Sequence, residues 1–257
     1  MSSPEELARL AHEVAREAGA LVLTGWRRHP RATLKARADL VTEYDLRSER
    51  LIRARLGERA PDLPIVAEEE GGEPARGPTF YVDPLDGTTN FVHGHHFWAV
   101  SVGVLEGGEP VAGAVVAPAL GVSWTGYRGG PALRDGAPCR VSATAALEDA
   151  LVATGFPVDR ARSPDDNFDS FVRVKRAAQG VRRCGAAAID LCLVADGTYD
   201  GYWERRLHAW DLAAGAAVLL AAGGRVSALD GGPARLEVGH VIASNGLIHD
   251  ALVASVA

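Results

Sequence analysis

The run Asp83-Pro84-Leu85-Asp86-Gly87-Thr88-Thr89-Asn90 crowds two carboxylates, a turn glycine and two hydroxyls into one short stretch. Carboxylates three residues apart repel each other unless a cation lies between them, and oxygen donors alone suit a hard ion such as magnesium. Gly87-Thr88-Thr89 is expected to open a helix, whose unpaired backbone N–H groups form an anion site. A divalent cation beside such a terminus is a place to hold a phosphate ester. The competing reading of Asp-x-x-Asp-Gly-Thr is an Asx-turn followed by a capped helix, with no chemistry.

Other groups could join this site. Ile65-Val66-Ala67-Glu68-Glu69 is a short apolar run that ends in acid, although Glu68-Glu69-Glu70 also reads as a solvated charge run. Asp45 follows Thr42 at the spacing of a capping pair, so it is equally a first-turn carboxylate favoured by the helix dipole. His208-Ala209-Trp210-Asp211 reads by itself as a core tryptophan beside a helix cap. His93, His95 and His96 could bind zinc or donate a proton, but a structural or rim role is the expectation. Ser101, Ser142 and Ser244 lack an elbow motif, and no activating pattern flanks the cysteines, which ranks side-chain nucleophiles low.

With Phe91-Val92-His93 appended, the central run resembles the signature of the inositol monophosphatase family, lithium-sensitive and magnesium-dependent phosphomonoesterases. The segments ending at Glu68, running from Ala38 to Asp45, and spanning His208 to Asp211 resemble further landmarks of that family, in order. The resemblance implies that Glu68, Asp83 and the Leu85 carbonyl hold one Mg2+ and that Asp83, Asp86 and Asp211 hold a second. A weaker third ion is implied near Glu68, reached by Asp45 through water. Thr88, backed by Asp45, would orient the attacking water, and the Gly87 and Thr88 N–H groups would bind phosphate.

Glu204 in Tyr202-Trp203-Glu204 resembles the family glutamate that hydrogen-bonds an inositol hydroxyl, and Asp86 and the backbone at Ala187 would contact other hydroxyls. The bland alternative for Glu204 is an exposed strand-end carboxylate paired with Arg205 or Arg206, worth little. The resemblance thus implies hydrolysis of myo-inositol 1-phosphate and related polyol or sugar phosphates by a homodimer. A fructose-1,6-bisphosphatase or histidinol-phosphatase of the same fold is the nearest rival. A transcription antitermination cofactor that binds RNA polymerase machinery is the rival of another class.

These residues need elements to carry them. Residues 79–82 are β-branched or aromatic and predict a strand that delivers Asp83, with Pro84 barring its continuation. Apolar residues at helical spacing predict a helix over 4–28, and Thr42 a second helix through residue 56. Runs at 97–105, 111–117 and 121–127 predict an antiparallel meander. The remainder alternates: strand 151–154, helix 166–178, strand near Val181, helix 187–195, strand 199–204, helix 211–222, strands 225–229 and 241–243, and a last helix from Leu247. The family resemblance implies an α/β fold, a layered αβαβα sandwich. It would form one domain over 1–257, with the site between halves of roughly 1–140 and 141–257.

The 257 residues suffice for a large core, and 47% hydrophobic with 23% charged residues is an ordinary globular balance. No apolar stretch is long enough to cross a bilayer, and the acidic start Ser3-Pro4-Glu5-Glu6 is unlike a signal peptide, so a cytoplasmic protein is expected. The net charge of −6 argues against nucleic acid as a partner. Cys139, Cys184 and Cys192 are expected to be reduced, buried small hydrophobes.

Overall fold

The computed structural model describes residues 2–28, 30–36 and 39–257. Ser3 opens α1 (Pro4–Leu23) with a reciprocal cap: its hydroxyl accepts the Glu6 N–H at 3.2 Å while the Glu6 carboxylate accepts the Ser3 N–H at 2.7 Å. The helix stops five residues short of expectation. Thr24 ends it by donating its hydroxyl to the Leu21 carbonyl, and the chain then turns through Arg27 at a left-handed φ of 61°. A hairpin that the sequence reading did not anticipate follows, β1 (Ala32–Ala36) with β2 (Asp39–Thr42). Of the expected Ala38–Asp45 segment, Ala38 lies outside the described residues. Thr42 then caps α2 (Glu43–Arg59), which runs three residues beyond expectation.

The first sheet has seven strands in sequence order: β3 (Ile65–Ala67), β4 (Thr79–Asp86), β5 (Ala99–Glu106), β6 (Glu109–Ala117), β7 (Val122–Tyr127), β8 (Ala132–Arg134) and β9 (Ala137–Cys139). β3 runs parallel to β4 and every later pair is antiparallel, so the expected meander is present and a short hairpin extends it. Pro84 does not end β4. The pairing slips between Asp83, opposite Ser101, and Asp86, opposite Ala99, so Pro84 sits in a bulge where a missing N–H is tolerated. Between β4 and β5 lies the short helix α3 (Thr88–Val92).

The second half builds a five-stranded sheet in the order β11-β10-β12-β14-β13. Its elements are β10 (Leu151–Thr154), α4 (Phe168–Ala177), β11 (Gly180–Arg182), α5 (Ala187–Ala195), β12 (Gly201–Glu204), α6 (Ala209–Ala221), β13 (Arg225–Ser227), β14 (Val241–Ser244) and α7 (His249–Val256). β10 and α5 match the sequence reading, and the others shift by one to two residues at an end. The largest consequence is that α6 starts at Ala209, which makes Asp211 its third residue; its carboxylate accepts the His208 N–H at 2.6 Å.

Five layers result. Leu7, Val14, Ile52 and Leu56 of α1 and α2 pack with Phe80, Val82 and Val102 on one face of the first sheet. Tyr81 and Val115 point to the other face, against Ile189 and Leu191 of α5 and Leu212 and Val218 of α6, and this middle layer also meets Tyr202 and Ala243 of the second sheet. Trp203 and Ile242 complete the stack against Val174 of α4 and Leu252 of α7. Gly103 and Gly113 let α6 lie on the first sheet, since a Cβ at either would come within 2.5 Å of α6 backbone. This is the expected αβαβα sandwich. Cys192 is buried, Cys139 and Cys184 are half-buried, and all three are free thiols. Among the described residues no helix is long and apolar enough to cross a membrane.

Candidate functional site

The strand β4 is buried along its whole length and brings Asp83 and Asp86 to its end at 2% and 7% exposure. The bulge folds the chain back on itself: Leu85 N–H donates to Asp83 Oδ1 at 2.9 Å. Gly87, at a left-handed φ of 87°, then starts α3. Its neighbour Thr88 has one hydroxyl proton and two acceptors, Asp45 Oδ1 at 2.9 Å and the Leu85 carbonyl at 3.0 Å. Asp45 also accepts the Thr42 N–H and hydroxyl at 2.8 and 2.6 Å. Burial raises the Asp45 carboxyl above its usual range against these donors.

Two more carboxylates, Glu68 and Asp211, approach. Burial, followed by the charges of Glu68, Asp86 and Asp211, raises Asp83 well above the ordinary range, and the Leu85 N–H opposes this. Burial and Asp211 raise Asp86 likewise, opposed by the Ala188 N–H at 2.8 Å in the first turn of α5. Asp211 is raised by burial, and its charge in turn raises Asp83, so the two carboxyl groups approach closely enough for one to oppose the other's ionisation. Among the described residues no three His, Cys, Asp or Glu side chains are grouped in ready ligating geometry. Asp83, Asp86 and Asp211 each accept a backbone N–H, of Leu85, Ala188 and His208 respectively, at one oxygen. The donor set itself, oxygen only and crowded with like charge, fits a hard divalent cation.

A cleft of ≈ 720 Å³ opens over these groups, ample for a small polyol phosphate. Glu68, Asp86, Thr88, Ala187, Glu204 and Asp211 lie on its wall, with Gly87 beside them, while Asp45, Asp83 and Leu85 are buried behind it. All the carboxylates expected from the sequence are therefore at or directly behind one cleft. Of the histidines, His95 and His96 stack on each other, and His95 Nδ1 accepts the Phe97 N–H at 3.3 Å, a structural contact for that ring.

Glu204 is 8% exposed, which overturns its reading as an exposed strand end. Arg205 pairs with Asp165 at 2.9 Å and Arg206 with Asp159. Glu204 instead accepts the Tyr202 hydroxyl, and burial pushes its carboxyl up to about 7 against that bond and the Arg183 charge. Sequence reasoning missed the residue that makes room for it: a Cβ on Gly155 would lie 2.1 Å from the Glu204 carboxylate oxygens. It also missed Asn167, whose amide bonds Thr154, Gly155 and Trp203 and fixes the ends of β10 and β12. The only signal for Gly155 was a glycine directly after a strand, which turn chemistry explains as well.

A cleft walled by carboxylates from both sheets and entered beside a helix start, in a layered α/β fold, is suited to a phosphate ester held with a divalent cation. The inositol monophosphatase family model matches residues 3–257. An inositol-1-monophosphatase of Synechocystis sp. is 41% identical over 256 residues, covering 97% of this chain and 89% of the relative. A Nus factor SuhB of Pseudomonas aeruginosa is 37% identical over 262 residues, covering 98% and 96%. The solved inositol monophosphatase of Anabaena (Nostoc) sp. superposes with a TM-score of 0.89 at 37% identity, covering 96% of this chain and 94% of that one. The chain belongs to the inositol monophosphatase family and is a phosphatase.

Proposed function

We propose that the protein is a magnesium-dependent phosphomonoesterase acting on myo-inositol 1-phosphate and related polyol or sugar phosphates. The observation that carries this reading is the approach of Glu68, Asp86 and Asp211 to the buried carboxyl of Asp83, like charges from both halves whose crowding a bound cation would relieve. Glu68, Asp83, Asp86, Asp211 and the Leu85 carbonyl would hold two or three Mg2+ ions. When bound, the metal would neutralise phosphoryl charge and lower the pKa of a nucleophilic water. The Thr88 hydroxyl proton is directed to Asp45 or the Leu85 carbonyl, and either way its oxygen would be left to accept a proton from that water and orient it. The backbone N–H groups of Gly87 and Thr88 would receive phosphoryl oxygens. Across the cleft, Glu204, Asp86 and the backbone at Ala187 would take the hydroxyls of the alcohol.

The layered fold supports treating residues 1–257 as one domain with the site between its halves. The family resemblance supports a cytoplasmic homodimer. The name of the Pseudomonas aeruginosa relative favours a second, transcription-related role. The complete acidic shell supports the phosphatase reading first. Phosphate release from a panel of inositol, fructose and histidinol phosphates, with and without magnesium, tests it; a pull-down with RNA polymerase tests the other.

A further inference from the structure

Three side chains one turn apart on α2, Asp45, Ser48 and Glu49, are each fully buried and each reaches a different part of the acidic shell. Residues at i, i+3 and i+4 share a helix face. Asp45 takes the Thr88 hydroxyl, as described above. Ser48 donates its hydroxyl to the Pro84 carbonyl at 2.8 Å. That carbonyl belongs to the same peptide unit as the Leu85 N–H, which donates to Asp83 Oδ1. The peptide is therefore held at its oxygen by Ser48 and at its nitrogen by the carboxylate it orients.

Glu49 does the equivalent for Glu68. Its two carboxylate oxygens accept the Glu69 and Glu70 N–H groups at 2.8 and 2.9 Å. Arg53, one turn on, neutralises Glu49 at 2.9 Å and donates to the Gly71 carbonyl. The turn that carries Glu68 is closed by a reciprocal backbone pair between Ala67 and Gly71, and Glu68 N–H bonds the Val82 carbonyl at 3.2 Å. Both peptides flanking Glu68 are thus fixed, one by the sheet and one by Glu49.

We propose that Ser48 and Glu49 are positioning residues: one face of α2 holds the Pro84–Leu85 peptide and the Glu68–Gly71 turn at the spacing that the metal-binding oxygens require. The proposal rests on the magnesium reading given above. A buried carboxylate serving only helix stability would be satisfied by Arg53; here it spends both oxygens on the backbone beside Glu68. Groups that orient ligands in this way typically carry roughly 10–100-fold in metal affinity.

The test is Mg2+ binding to the metal-free protein without substrate, by calorimetry and by the midpoint of Mg2+-dependent thermal stabilisation, for wild type, Glu49→Gln and Ser48→Ala. The expected result is a midpoint raised about tenfold or more in Glu49→Gln, and raised to a smaller degree in Ser48→Ala, with kcat recovering at saturating Mg2+ in both. Unchanged midpoints in both folded variants overturn the proposal, as does a kcat loss that saturating Mg2+ leaves in place. If Glu49→Gln does not fold, Ser48→Ala decides by the same criteria. A wild-type protein that Mg2+ neither stabilises nor activates overturns the metal reading itself, and the bracing role with it.

Discussion

Asp86, at the end of a first-sheet strand, accepts the backbone N–H of Ala188, in the first turn of the helix that opens the second half of the site, at 2.8 Å. The bond joins the two halves of the sandwich at the chemistry itself. It also places a carboxylate where the helix dipole favours negative charge, although Asp211 and burial oppose its ionisation. The Asn90 amide repeats the link, its two protons shared between the Phe97 carbonyl of its own half and the Cys184 and Gly185 carbonyls of the other. The geometry of the cleft is therefore set by the packing of the two halves as much as by either alone.

Thr88→Ala should lower kcat by about 10²–10⁴-fold with little change in KM, because the hydroxyl is assigned to orienting water and not to holding the ester. Steady-state kinetics on inositol 1-phosphate at saturating magnesium checks this. A loss lying wholly in KM would make Thr88 a phosphate contact or a helix residue only.

Glu204→Gln should lower kcat/KM for a polyol phosphate by about tenfold to a hundredfold, roughly 1.5–3 kcal/mol for a charge-assisted hydrogen bond. Hydrolysis of a simple aryl phosphate, which offers no hydroxyl there, should change far less. Gly155→Ala should share this pattern, since its methyl group would displace the Glu204 carboxylate. Equal losses on both substrates would assign Glu204 to support of the metal shell.

His249 gives a stability prediction away from the site. It is fully buried between Ser244 and Ser227, at 2.8 Å from each, and burial lowers its pKa from 6.5 to about 4. The unfolded chain takes up the proton first as pH falls, so the stability that neutral His249 contributes is present above about pH 6.5 and is lost as pH falls towards 4. Tm measured across that window should decline in wild type. The decline should be shallower in His249→Gln; identical slopes would remove His249 from the account.

Much of this was legible in the chain because it is local. Asp83 through Thr89 places two carboxylates, a turn glycine and a helix start in one run, the periodicities marked most strands and helices, and the order of the layers came from the family resemblance. What was hidden depends on contacts across sequence. Pro84 reads as a strand terminator, yet the bulge absorbs it. From its neighbours alone Glu204 is equally a surface acid beside two arginines, and only the family resemblance pointed it at substrate; the fold shows Asp165 and Asp159 claiming those arginines. Nothing in the sequence singles out Glu49, and only the fold brings the Glu69 and Glu70 N–H groups to it. No one-dimensional pattern encodes that approach.

Asp83, on the magnesium reading, serves a cation shared between the halves of the site. Phosphate release from inositol 1-phosphate by wild type and Asp83→Asn, each titrated with Mg2+ after chelation, tests it most directly. Wild type should be inactive without Mg2+ and restored by it, while Asp83→Asn should stay severely impaired at every Mg2+ concentration. Full activity of Asp83→Asn at low Mg2+, or wild-type turnover in excess chelator, would contradict the account.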